Sequence, residues 1–131
     1  MEQPTPDRKD WTWVLERTCE SCGLDAGQLD RSDMGTRIRA NAATWRALLA
    51  RGSMVAARPP TPPTTAPVWS ALEYGCHVRD VYRRFHDRIG RMLTEDAPSF
   101  ADWDQNHAAV EGGYGEQDPG RVSYDLALIA G

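Results

Sequence analysis

The side chains of this sequence best suited to hold a metal or attack a substrate are three cysteines and three histidines. Cys19 and Cys22 are separated by two residues, the spacing at which two thiolates grip one tetrahedral zinc. No second Cys-x-x-Cys and no histidine pair follows, so the motif is half of a four-ligand site. Three readings stay open: inert or locally structural thiols, a structural zinc completed through the fold, and redox use, which wants a βαβ setting. Cys76 reads as a small buried apolar residue. His77 shares a helical face with Tyr74, Val81 and Phe85, so its imidazole points into the core near Trp45. It is either a core histidine satisfied by a hydroxyl or carbonyl, or a metal ligand. His86 projects from the opposite side of the same helix and cannot join His77 in one ligand shell. His107 lies in an irregular stretch and reads as a surface residue.

The elements that position these groups follow from periodicity. Met34, Ile38, Ala42, Trp45 and Leu49 fall on one face of a helix over residues 33–51, with Asp30, Ser32 or Asp33 to cap it and Gly52 to end it. Residues 58–67 hold five of the nine prolines and form an extended connector. A second helix runs over residues 70–93, opened by a capping box of Ser70 and Glu73. Its inward stripe is Tyr74, His77, Val78, Val81, Phe85, Ile89 and Met92, and the pairs Asp80/Arg84 and Asp87/Arg91 lie on an opposite, solvated face. The segment 11–17 is a short helix or an extended strap. Phe100 to Gln105 reads as a turn or short helix, and Gly112 to Gly115 as a flexible loop. A third helix starts at Asp118-Pro119 and brings Val122, Leu126 and Ile129 to one face. With no strand pair and no phosphate-binding glycine motif, the fold class is all-α.

The 131 residues suit one domain, and 40% hydrophobic with 26% charged residues is an ordinary globular composition. A net charge of -4 gives no electrostatic basis for binding nucleic acid or an anionic membrane. No apolar run is long enough to span a bilayer, and residues 1–10 carry no apolar signal core. With three thiols and no disulfide framework, these features place the protein in the cytoplasm.

The stretch Val68-Trp-Ser-Ala-Leu-Glu-Tyr-Gly-Cys-His-Val-Arg-Asp-Val-Tyr82 resembles the second-helix signature of the DinB-like superfamily, which includes the mycothiol-dependent maleylpyruvate isomerases. Trp11-Thr-Trp-Val-Leu-Glu-Arg17, Cys19-x-x-Cys22-Gly23, the segment from Leu93 to Gln105, and Glu116-Gln-Asp-Pro119 are similar to an actinobacterial branch of it. The resemblance covers nearly the whole chain. It implies an up-and-down helical bundle holding a divalent metal, zinc or nickel, through three histidines, one on the second helix and two a turn apart on the last. His77 matches the first of these. The His-x-x-x-His pair has no counterpart, and neither His86 nor His107 aligns with a ligand.

What the resemblance implies is therefore a DinB-like bundle incomplete at its C-terminus, with an exposed apolar stripe that favours a homo-oligomer. The implied activity is metal-dependent transfer or isomerisation of a small-molecule substrate using mycothiol or a similar thiol. Trp103, Asp104 and Gln105 would then line the pocket mouth, with Asp104 accepting from a ligating imidazole. The alternative is a non-catalytic helical remnant or binding module, with a structural zinc at Cys19/Cys22.

Overall fold

In the computed structural model, which describes residues 2–131, the carboxylate of Asp30 accepts from the Ser32 N–H at 2.9 Å. This opens a 3-10 turn over Arg31–Asp33 that runs into helix α1, Met34–Leu49. Gly52, at φ +79°, takes the left-handed conformation that turns the chain just past the helix. Helix α2, Ala71–Thr94, begins with the capping box expected: Ser70 Oγ accepts from the Glu73 N–H at 3.1 Å, and Glu73 Oε2 accepts from the Ser70 N–H at 2.8 Å. Between it and the last helix lies helix α3, Gln105–Glu111. Helix α4, Pro119–Ala130, is capped by Asp118, which accepts from the Arg121 N–H at 2.8 Å. The chain is all-α, more than half of it in α- or 3-10 helix, and no strand occurs among the described residues. Among the described residues no helix is long and apolar enough to cross a membrane.

Helix α4 packs against both α1 and α2 and closes the core. That core comprises Leu49, Val55, Trp69, Leu72, Cys76, Ala109, Tyr114, Val122 and Leu126, with Trp45, Val78 and Tyr82 against it. Residues 2–4 strap its top. Arg58 Nη1 donates to the Glu2 carbonyl at 2.6 Å, Trp69 Nε1 to Gln3 Oε1 at 2.9 Å, and Asn106 Nδ2 to the Pro4 carbonyl at 2.8 Å. The segment 11–17 holds a 3-10 turn, Thr12–Leu15, rather than an α-helix.

The buried side of α2 is not the apolar stripe the sequence points to. Leu72, Gly75, Cys76 and Arg79 face the core, while Tyr74, Phe85, Ile89 and Met92, roughly half a turn away around the helix, are exposed. Two causes are visible. Gly75 lets α1 come close: a Cβ there would sit 3.2 Å from Leu49 Cδ2. The charged side is satisfied from elsewhere in the chain. Arg79 donates to Asp80 Oδ1 at 2.9 Å and Gln117 Oε1 at 2.6 Å, Tyr114 donates its hydroxyl proton to Asp80 Oδ2, and Asp125 meets Arg83 at 3.0 Å and Arg121 at 3.1 Å. The expected pairs are accordingly replaced: Asp80 is held by Arg79 and Tyr114, and Arg91 pairs with Glu95. Arg79 and Asp125 are buried, so this face is solvated only at its edge.

The close approach at Gly75 gives a direct test. Gly75→Leu should lower unfolding stability by about 1–3 kcal/mol through overpacking against Leu49. Gly75→Ala should cost less, because the helix propensity gained, about 1 kcal/mol, offsets the smaller clash. Urea denaturation followed by circular dichroism reads both.

The Gly112–Gly115 stretch is also not a flexible loop. Gly112 ends α3 where a Cβ would lie 3.0 Å from both the Ala108 carbonyl and Tyr114. Gly113 adopts φ +56°, and the following 3-10 turn, Tyr114–Glu116, carries the Tyr114 ring into the core, 1% exposed.

Candidate functional site

His77 is set by α2 between two indoles. Its ring stacks on Trp103 with centroids 5.3 Å apart and planes at 10°, and lies 5.5 Å from Trp69 at 52°. The sequence places its imidazole toward the first helix near Trp45; its ring partners are instead Trp69 and Trp103, and it is half-buried. Trp69 is fixed by its bond to Gln3 and by edge contacts with Tyr74 and Tyr114. Trp103 is brought in by an arginine ladder on α2. Arg91 and Arg88 sit over Phe100 at 5.0 and 5.2 Å, Arg88 Nη2 donates to the Ala101 carbonyl at 2.8 Å, and Arg84 covers Trp103 at 4.6 Å. The chain leaving α2 thus folds back along that helix and lays Trp103 on His77.

Burial pushes the His77 pKa below its ordinary 6.5, against the opposing pull of the Asp80 charge, so the ring stays neutral near pH 7. Its Nδ1 and the Nε of Arg84 are buried without a hydrogen-bond partner among the described residues. Trp103 is a wall of two open clefts. One, of about 520 Å³, is lined by Asp80, Arg83, Arg84, Asp87 and Glu111 and is of mixed charge. The other, of about 420 Å³, lies between Trp103, Asp104 and Gln105 and the N-terminal residues Arg8 and Trp11.

Of the residues expected around a pocket, Trp103 alone touches His77 through its ring. Asp104 is the N-cap of α3, its Oδ1 accepting from the Asn106 and His107 N–H groups at 3.0 Å each. Gln105 begins α3 beside it. His107 is exposed on α3, its Nδ1 3.6 Å from Glu111 Oε2, and His86 is exposed on α2. The residues missed in the sequence are Trp69 and Arg84. No local pattern gives them, because Arg84, Arg88 and Arg91 meet Trp103 and Phe100 only once the chain reverses after α2.

Cys76 lies fully buried, its Sγ 3.7 Å from the Tyr114 carbonyl, and burial pushes its thiol up to about 12. It is no nucleophile at neutral pH. Cys19 and Cys22 are both free thiols in a tight turn, the first buried and the second exposed. Among the described residues no three His, Cys, Asp or Glu side chains come together as a metal site, so His77 and the Cys19/Cys22 pair form no common cluster. Compared with family models, curated proteins and solved structures, the chain matches none.

Proposed function

We propose that this chain is a DinB-like helical domain of the metal-dependent, thiol-using transferase or isomerase type, in which His77 contributes one ligand to a zinc or nickel ion. A small-molecule substrate and a low-molecular-weight thiol such as mycothiol would meet in the clefts beside Trp103. The observation that supports this reading is the His77 ring: neutral, walled by two indoles, and with a buried Nδ1 that lacks a partner among the described residues. Neutral imidazole is a donor that both metals accept. The fit stops at the one ligand. A catalytic ion takes about three protein ligands and keeps an open position, and the described residues offer no second or third ligand beside His77. They do not hold the ion alone, and the remaining ligands would come from a further segment or a partner. When bound, such an ion would polarise the substrate or activate the thiol. The chain's own residues do less: Trp69 and Trp103 orient the imidazole and keep water from its faces, and Arg84 holds Trp103 in place.

The same lack of ligands favours a second reading, a non-catalytic binding module in which His77 is only a packed ring. Nickel titration of the Cys19→Ser/Cys22→Ser protein, with and without His77→Ala, separates the two. Losing a true ligand should weaken nickel binding by about 10–100-fold, at least what loss of a supporting group costs, and paramagnetic broadening should mark His77 before His86 and His107. Unchanged affinity in His77→Ala overturns the metal reading and leaves the binding module.

A further inference from the structure

Residues 95–104, which join α2 to α3, run beside the half of α2 that the core does not reach. The buried residues of that helix end at Arg79, and none of residues 95–104 is itself buried. A segment with so little buried surface opens locally, well below the free energy of global unfolding. Among the described residues a single hydrogen bond ties residues 96–103 to the rest of the chain, from Arg88 Nη2 to the Ala101 carbonyl at 2.8 Å. The other holds on the segment are rings: Phe100 under Arg91 and Arg88, and Trp103 under Arg84 and stacked on His77. Its root is strained. Ala97 sits at φ +43°, the one positive φ outside glycine among the described residues, and it precedes Pro98, where extended backbone at negative φ is favoured. Under Trp103, His77 Nδ1 and Arg84 Nε stay buried without a hydrogen-bond partner among the described residues, a cost that access to water would remove. Strain at the root and unsatisfied groups underneath both favour opening, and three arginines oppose it.

The geometry points to a lid: residues 98–103 form a flap that pivots between Ala97 and Asp104, lays Trp103 over His77, and is latched by Arg84, Arg88 and Arg91. The far pivot is anchored, because Asp104 caps α3 and Asn106 Nδ2 donates to the Pro4 carbonyl at 2.8 Å. Trp103 is the one residue that lines both clefts, so its departure joins them and bares the imidazole face to the joined space. The closed flap is an autoinhibitory contact, in which His77 meets an indole instead of water or a ligand. His77 enters only as the ring that is covered, and the lid does not require it to bind a metal.

The test uses metal-free full-length protein labelled with 5-fluorotryptophan, whose five tryptophans give five fluorine resonances. The Trp103 line is assigned by its absence in Trp103→Phe. In wild type that line should show exchange on the microsecond-to-millisecond timescale of lids, at urea concentrations far below the unfolding midpoint. Arg88→Gln removes the bond to Ala101 and a cation over Phe100, and should raise the open-to-closed ratio about 5–30-fold. Phe100→Ala, outside the core, tests the same latch from the flap's side and should act in the same direction. Ala97→Gly relieves the left-handed backbone of the closed state and should lower the ratio about 2–5-fold, the gain being partly offset by the freedom glycine adds to the open one. In each variant the His77 ring protons should gain or lose the shift of a stacked indole in step with Trp103. A Trp103 line without exchange in wild type and both latch variants, a ratio that the latch variants leave unchanged, a ratio that Ala97→Gly raises, or opening seen only in the global urea transition would each overturn the lid. Failure of the metal reading leaves these outcomes untouched, because no arm contains a metal.

Discussion

Replacing Arg58 by Met should cost about 3–5 kcal/mol of unfolding free energy at pH 7, the loss typical of removing one partner from a buried ion pair. Arg58 Nε and Nη2 donate to Glu73 Oε2 and Oε1 at 2.9 and 2.6 Å, and Glu73 is 4% exposed. Burial alone would raise the Glu73 pKa, but the Arg58 and Ser70 hydrogen bonds and the Arg58 charge outweigh it and hold the carboxyl below its ordinary 4.5. A carboxyl depressed in the folded state contributes stability that is present above its unfolded pKa and lost as the pH falls through the folded one. The native protein should therefore weaken on acidification below about pH 4.5. In Arg58→Met the sign reverses: a buried carboxyl without its cation titrates high, so protonation relieves it and the gap to wild type narrows as the pH falls. The double variant Arg58→Met/Glu73→Gln should recover most of the loss, because glutamine still caps the Ser70 N–H and no charge is left buried. A gap that stays constant from about pH 7 to well below the ordinary glutamate pKa would show that Arg58 acts through its packing instead of its charge.

How far the sequence reaches into this structure depends on whether a feature is local. Helices α1, α2 and α4 were legible within one or two residues at their starts, because Asp30, the Ser70/Glu73 box and Asp118-Pro119 cap through neighbours in sequence. The inward face of α4, Val122 and Leu126, was legible for the same reason. The face of α2 was not. Its apolar residues outnumber its small ones, yet burial follows Gly75 and Cys76, which permit close approach, and Arg79 and Asp80, whose partners Gln117 and Tyr114 lie far along the chain. The site divides likewise. That Cys19 and Cys22 form one turn is written in their spacing. That Trp103 lies on His77 depends on the chain reversing after α2 along the Arg84, Arg88 and Arg91 ladder, a tertiary event that no local pattern encodes.

Tyr114 ties the core to the candidate site, so its truncation should be felt in both. Tyr114→Ala removes the largest fully buried side chain and should cost about 3–5 kcal/mol, the range for deleting a core aromatic. Tyr114→Phe keeps the ring and loses only the hydroxyl bond to Asp80. Because Asp80 still holds Arg79 at 2.9 Å, no carboxylate oxygen is stranded without a cation nearby, and the cost should be about 1 kcal/mol. The consequence for His77 follows from contact. The Tyr114 ring meets Trp69 edge-on with centroids 6.3 Å apart, and Trp69 is one of the two walls that keep the imidazole dry. Without that support the wall loosens, water reaches His77, and its pKa should climb back toward the ordinary 6.5 in Tyr114→Ala while staying depressed in Tyr114→Phe. Histidine titration by NMR at a temperature where both variants are folded reads the difference. An unshifted His77 in Tyr114→Ala would mean that Trp103 and Arg84 alone exclude water from the ring, and that the Trp69 wall is dispensable to the site.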